Sequence, residues 1–389
     1  MAERDDYTAP AQNVSRESFT GLEKSCVASS DGLPTLAIDA VCTGRESGAR
    51  SMAHEEGWSG LVGWGLSLVV VSLACSGCAA SAPSRSESPV TRGFRNPRSS
   101  HVASSSPNHR ARDRIVAVGE PQWIVGKLAY GTLDRDLVGE EVEVAARPEG
   151  AREFSVLGVA ITTEDGEHAE VDGAHDSGGR VYFRVPEGKT LGLGRHEVRL
   201  RVLGDGTEAS LVVHVVPRGT KLVVSDVDGT LTTAEAIEVA AFLRGVTSPV
   251  RVDAARALGL LAERGYVPVY LTARPEWLVD RTRTFLSEHG FPKGIVRTKD
   301  DKSGSIGPSA AEFKKRELEL LRAGGLEIAF GFGNRSTDVD AYAAYVTEPT
   351  HRYFVGLTDD PPGALRGGRG FASYTDVLPD LARVPAASR

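Results

Sequence analysis

After Cys78 the 389-residue chain has no further cysteine; Cys26, Cys42 and Cys75 are the other three, and all lie early. The remainder therefore holds neither a disulfide framework nor a thiolate metal site. Excess positive charge is missing too. A formal net charge of -7 at pH 7 argues against nucleic acid as a partner, because a dedicated binder shows a basic excess on at least one domain. With 41% apolar and 25% charged residues, the composition is that of a soluble chain long enough for two domains plus tails.

Charge of either sign is absent from Gly57 to Ser84, where "LVGWGLSLVVVSLACSGCAASA" ends in small residues and cysteine. Such a run reads as a secretory signal. Its end resembles a bacterial lipobox, which implies export and lipidation of Cys78, preceded by Ser76 and Gly77, rather than of Cys75. That resemblance makes the protein a membrane-associated bacterial lipoprotein; a plain transmembrane anchor is the alternative, since roughly 20 uncharged residues can span a bilayer. Residues 1–56 receive no fold, 57–78 form the signal or anchor, and 79–118, rich in Ser, Pro and Arg, are too poor in apolar residues to fold and read as a tether.

Short alternating runs follow over residues 119–217: "QWIVGKLAYG", "EEVEVAA", "FSVLGVAITT", "RVYFRVP", "RHEVRLRVLG" and "ASLVVHVVP". Gly, Asp and Pro clusters separate them, the pattern of an all-β, immunoglobulin-like sandwich. In the fifth run Val198, Leu200 and Val202 share one face with charge opposite, as a half-buried antiparallel strand requires.

From residue 218 to 389 strands alternate with amphipathic helices, which implies right-handed βαβ units and a parallel sheet. Ligands of such sheets bind at the carboxyl ends of the strands. Three strand ends bring polar groups there: "VVSDVDGTLT" gives Asp226, Asp228 and Thr230; "YLTAR" gives Thr272 and Arg274; "GFGNRSTDVDAY" gives Asn334 and Asp338. A lysine from "EFKK" joins them. Hard oxygen ligands beside basic groups suit Mg2+ and phosphoryl transfer, because cations offset phosphate charge while a positioned oxygen attacks phosphorus in line.

The order DxDGT, strand-end Thr, Lys, then the late amide and acid resembles the haloacid dehalogenase superfamily. "SDVDGTLT", "YLTARP", "FK" and "GFGNRSTDVDAY" together are similar to the catalytic domain of lipins, which are phosphatidate phosphatases, and to the homologous domain of certain phosphatidylinositol transfer proteins. The resemblance implies that Asp226 is the nucleophile and Asp228 the acid and base. It makes Thr272 a phosphoryl hydrogen-bond donor and Lys314 the charge-offsetting lysine, with Lys315 the open alternative. Asp226, the backbone carbonyl of Asp228, Asn334 and Asp338 would hold the metal. Thr230, Arg274 and Trp277 complete the expected substrate contacts.

The spacings between motifs leave no room for a separate cap domain. An uncapped site favours a large or membrane-embedded phosphomonoester, so the expected partner is a phospholipid at a membrane surface. The rival expectations are a phosphatidate-binding module without turnover, as in transfer proteins whose matching domain lacks the first aspartate, and a phosphatase for phosphoprotein or soluble sugar phosphate. One stretch, "VRTKDDKSGSIG", carries more charge than the end of a buried strand should.

Overall fold

The computed structural model describes residues 91–233, 249–300, 308–358, 361 and 363–388, all within a compact unit spanning Ala82–Arg389. The expectations for residues 1–56, the apolar run and Cys78 fall outside the described residues. Among the described residues no helix is long and apolar enough to cross a membrane.

A short helix, α1 (Pro97–Val102), is capped by Asn96, whose side chain accepts from the Arg98 amide at 3.0 Å. The strands that follow are β1 (Arg110–Ala111), β2 (Arg114–Ala117), β3 (Trp123–Lys127), β4 (Ala129–Tyr130), β5 (Arg135–Asp136), β6 (Glu141–Pro148), β7 (Ser155–Ile161), β8 (Arg180–Arg184), β9 (Gly194–Val202) and β10 (Glu208–Val216). They form two main sheets, ordered β2-β10-β9-β6-β7 and β1-β3-β8, with β4 and β5 as a separate ribbon. Ile124, Val144, Val198, Leu200 and Val213 fill the space between them. The alternation read in β9 holds, with Val198, Leu200 and Val202 buried and Glu197, Arg199 and Arg201 half-buried.

The tether reading for 79–118 is corrected at its end, because α1, β1 and β2 lie inside it. Local composition misled there. Arg110, polar in sequence, is buried and donates to Asp134 Oδ2 at 2.7 Å and to Glu276 Oε1 at 3.0 Å. Paired charge of this kind can enter a core that an unpaired arginine cannot.

The second half contains β11 (Lys221–Ser225), α2 (Ala254–Glu263), β12 (Val267–Pro275), α3 (Val279–Glu288), β13 (Ile295–Lys299), α4 (Pro308–Ala323), β14 (Glu327–Gly333), α5 (Ser336–Tyr345), β15 (Arg352–Val355), β16 (Arg369–Phe371) and α6 (Tyr374–Leu381). All six strands are parallel, in the order β13-β12-β11-β14-β15-β16. Both faces are covered. Val223 and Phe330 pack with Leu258, Phe285 and Tyr374 from α2, α3 and α6, whereas Leu222 and Val224 point the other way, into Phe313 and Tyr342 of α4 and α5. Buried on both sides, β11 reads as the continuous apolar run that a central parallel strand shows.

Ile115, Ala117 and Val216 of the sandwich belong to this second core, so the two halves share apolar packing. Charge reinforces the join. Asp113 accepts from the Val212 and Val296 amides, both at 2.9 Å, and from Arg283 at 2.6 Å. Arg297, 1% exposed, donates to Asp172 at 2.6 Å and to Glu317 at 2.7 Å; Arg112 also pairs with Glu317.

Candidate functional site

In the six-stranded sheet, chain order runs outward from β11 in both directions, so β11 and β14 flank the point where the strand order reverses. Such a switch point opens a crevice at the carboxyl ends of the strands. The first motif loop leaves β11 there and the last leaves β14 there. Their first contact is backbone: the Asp226 amide donates to the Phe332 carbonyl at 3.0 Å.

Asp226 is 4% exposed, and its two oxygens are held differently. Oδ1 lies 2.9 Å from Lys314 Nζ, and Oδ2 accepts from the Thr230 hydroxyl at 3.0 Å. Burial, with Asp338 and Asp228 nearby, pushes its carboxyl up to about 6 against the opposing pull of Lys314. Lys314 moves the other way from what burial alone would do: Asp226 and Asp338 raise its ammonium above the ordinary lysine range. The lysine is thereby held charged, whereas the Asp226 carboxylate gives up its charge more readily than a free one even with Lys314 beside it.

Asp338 is fully buried, with Oδ1 accepting from Lys314 at 2.5 Å and Oδ2 from the Asn334 and Arg335 amides at 3.0 and 3.1 Å. It thus caps the first turn of α5 and fixes Lys314 at once. Asn334 turns its Oδ1 to the Thr230 hydroxyl at 3.1 Å. One hydroxyl proton cannot serve Asp226 and Asn334 together. The two oxygens therefore converge with spare acceptor capacity, a donor set that fits a hard, oxygen-seeking cation. Among the described residues no cluster of three or more His, Cys, Asp or Glu side chains could hold a metal, so any cation here would depend on Asn334 and a backbone carbonyl beside Asp226.

Asp228 faces the opposite wall. Thr272 donates to its Oδ2 at 2.9 Å, and Arg274 grips it through Nε at 3.0 Å and NH2 at 2.7 Å to Oδ1. Thr282 on α3 accepts from Arg274 NH1 at 3.1 Å and steadies the guanidinium. Thr272 and Arg274, expected at a phosphoryl group, are thus parked on Asp228. Lys315 remains beside Lys314 in sequence, but it is Lys314 that reaches both aspartates.

Two glycines are demanded by close approach. At Gly229, φ is +77°, and a β-carbon would fall on the Asn334 amide; at Gly333 one would overlap the Asp338 side chain. Gly229→Ala is expected to cost about 1–2 kcal/mol from the left-handed backbone alone. By displacing Asn334 it should also lower any metal-dependent activity by on the order of 100-fold. Urea unfolding and metal titration of the variant check the two effects separately.

Several supports escaped the sequence reading. Arg251 donates through Nε to the carbonyls of Gly229 and Thr232 at 3.0 and 3.1 Å, and the Tyr374 hydroxyl donates to the Thr230 carbonyl at 3.2 Å, together pinning the first motif loop. Arg180 donates to Glu276 at 2.9 and 3.1 Å, so sandwich arginines hold the residue before Trp277. No local motif marks Arg251 or Arg180, and Tyr374 opens α6, beyond the last of the quoted motifs. Trp277 itself is half-buried and lines an open groove of about 880 Å³ with Pro107 and Leu133 of the sandwich.

A β-sandwich leading into a haloacid-dehalogenase-like parallel sheet defines the class. Residues 107–215 match the family model described as the β-sandwich domain of PITM 1-3, and residues 223–356 match the LNS2 domain of the same proteins. The chain is similar to membrane-associated phosphatidylinositol transfer protein 1 of Rattus norvegicus, 34% identical over 251 residues, covering 64% of this chain and 18% of the relative. It is also similar to membrane-associated phosphatidylinositol transfer protein 3 of Homo sapiens, 30% identical with 64% and 23% covered, and to protein retinal degeneration B of Drosophila melanogaster, 29% identical with 64% and 18% covered. The chain thus spans about a fifth of the length of these relatives. The lipin-type resemblance is supported in its lipin-homology part, and the relatives named are phospholipid transfer proteins rather than phosphatidate phosphatases.

Proposed function

We propose that this chain is a magnesium-dependent phosphomonoester hydrolase whose substrate is phosphatidate at a membrane surface, released as diacylglycerol. The observation that carries the reading is Asp226, a buried carboxylate set between Lys314 at 2.9 Å and the Thr230 hydroxyl at 3.0 Å, at the switch point of a parallel sheet. A bound Mg2+, held by Asp226, Asn334 and the Asp228 carbonyl, would supply neutralisation of phosphoryl charge.

Within that frame the chain's own groups have distinct work. Asp226 attacks phosphorus, forming an acyl phosphate as the bond to the alcohol oxygen breaks. Asp228 gives its proton to the departing alkoxide and then takes one from the water that cleaves the acyl phosphate. Lys314, fixed by Asp338, offsets charge on the nucleophile and the phosphoryl group; Asp338 thereby positions the lysine rather than binding metal itself. Thr272 and Arg274 exchange Asp228 for phosphoryl oxygens, a planar guanidinium being well shaped for that. Among the described residues only helices, turns and strands of the central sheet lie between the motifs, and a site left open to a surface would take a lipid headgroup.

The hold of Arg274 on Asp228 through two nitrogens favours a second reading, a module that binds phosphatidate without turnover, because it occupies the carboxylate that would have to meet the leaving alkoxide. Phosphate release measured across phosphatidate vesicles, glycerol phosphate, sugar phosphates and a phosphopeptide, with Mg2+ or with chelator, separates these. Mg2+-dependent release, fastest from vesicles, is expected; vesicle binding without any release would establish the second reading instead.

A further inference from the structure

Leu133, 74% exposed at the tip between β4 and β5, and Val252, 75% exposed before α2, are apolar side chains left in solvent at two loops beside the site. Their loops are not loose appendages. Asp134, next to Leu133, is buried and accepts from Asn108 at 2.9 Å and from Arg110. Arg110 in turn donates to Glu276 at 3.0 Å, and Trp277 follows directly. The chain Asp134–Arg110–Glu276 thus locks the sandwich tip to the loop after Arg274. Trp277 is three residues from Arg274, at most about 11 Å along the backbone. Val252 follows Arg251, whose side chain bonds the Gly229 carbonyl in the loop carrying Asp226 and Asp228.

Among the described residues, the groove between the sandwich tip and Trp277 is lined by uncharged groups such as Ser105, Pro107, Thr132 and Leu133, and by one acid, Asp134, which is held by Arg110 and Asn108. Exposed Arg135 and Arg256 stand two and four residues beyond the apolar tips. Apolar tips with cations set behind them match an anionic bilayer, where apolar groups enter the acyl boundary and arginines stay at the headgroups. An aromatic such as Trp277 suits the same layer.

We propose that Leu133 of the sandwich, with Trp277 and Val252, forms a membrane-contacting rim that dips into the interfacial layer of an anionic bilayer, so that a phosphomonoester headgroup reaches Asp226 while its acyl chains stay in the lipid. The inference rests on the lipid reading above and gives the sandwich its role: it is the arm that seats the site on the membrane.

The test uses the full chain with Cys26, Cys42, Cys75 and Cys78 replaced by serine, and a single cysteine carrying an environment-sensitive dye. Leu133→Cys and Val252→Cys report the rim. Leu193→Cys, 65% exposed, is the control, because neighbouring Arg195 donates to Gly294 at the amino end of the sheet, opposite the site. On adding phosphatidylcholine vesicles containing phosphatidate, the dyes at 133 and 252 should shift to the blue and brighten severalfold, with salt weakening the effect and position 193 unchanged. Equal responses at all three positions, no response at 133 and 252, or a shift that depends on protein concentration without vesicles and so marks a second copy, would overturn the proposal. The dye reads contact whether or not phosphate is released. A silent rim in an active phosphatase defeats the membrane contact alone, and a responsive rim in an inactive chain defeats only the hydrolase reading.

Discussion

Asp226→Asn should release no measurable phosphate while folding as the parent does. The amide keeps the shape and the bond from Thr230, but it cannot form an acyl phosphate. Uncatalysed monoester hydrolysis is among the slowest reactions known, so loss of the nucleophile should lower turnover by at least about 10⁵-fold. Stability should not fall with it. Burial raises the Asp226 carboxyl to about 6, above its ordinary value, so the folded state takes up a proton more readily than the unfolded one as pH falls. The charged form is therefore a cost to folding that is largest above pH 6, and the neutral amide removes it. Thermal unfolding at pH 7 should show the Asp226→Asn variant no less stable than the parent, and Mg2+ should stabilise the parent more than the variant. A folded variant with near-parental phosphate release would remove Asp226 from the chemistry.

The second large effect lies away from the site. Glu317 is 1% exposed and holds Arg297 at 2.7 Å together with Arg112, joining the sandwich to α4. Glu317→Ala leaves two near-buried guanidinium groups short of a partner, which typically costs about 3–5 kcal/mol. The unfolding midpoint should drop by on the order of 10 °C. Asp172, the other anion of the cluster, gives the pH dependence its sign. Burial alone would raise its carboxyl, yet Arg297, Arg114 and Arg112 hold it well below the usual carboxylate range. A depressed folded value contributes stability above the unfolded value, near about 3.9, that is lost as pH falls below it. Midpoints should therefore be flat from neutrality to about pH 5 and fall steeply below about 4, with the fall shallower in Glu317→Ala, where the cluster is already weakened.

That cluster also shows where the sequence could be read and where it could not. The strands and helices from β11 to β15 follow from period and punctuation, and the polar residues that end β11, β12 and β14 do converge in space. Their motifs are local, each a strand end and the loop after it. The charge in "VRTKDDKSGSIG" looked out of place for a buried strand because its partners are distant: Arg297 is answered by Asp172 and Glu317, 125 and 20 residues away. The same holds for Arg110, which led the end of the tether to be drawn too late. β16 and α6 lie beyond the motifs, and with them Tyr374, whose hydroxyl supports Thr230 from 144 residues away. Thr272 and Arg274 were placed in the right crevice, but their resting partner, Asp228, is a matter of side-chain geometry that spacing does not carry.

The central claim is that Asp226 carries the phosphoryl group, and it can be read directly. The parent chain is mixed with phosphatidate vesicles and Mg2+, quenched in acid during turnover, reduced with borohydride, digested and examined by mass spectrometry. An acyl phosphate at Asp226 would be converted to homoserine, so the peptide containing "VVSDVDGTLT" should carry homoserine at position 226 and unmodified Asp228. A chain that releases phosphate under these conditions with Asp226 unmodified and another residue reduced in its place would contradict the account.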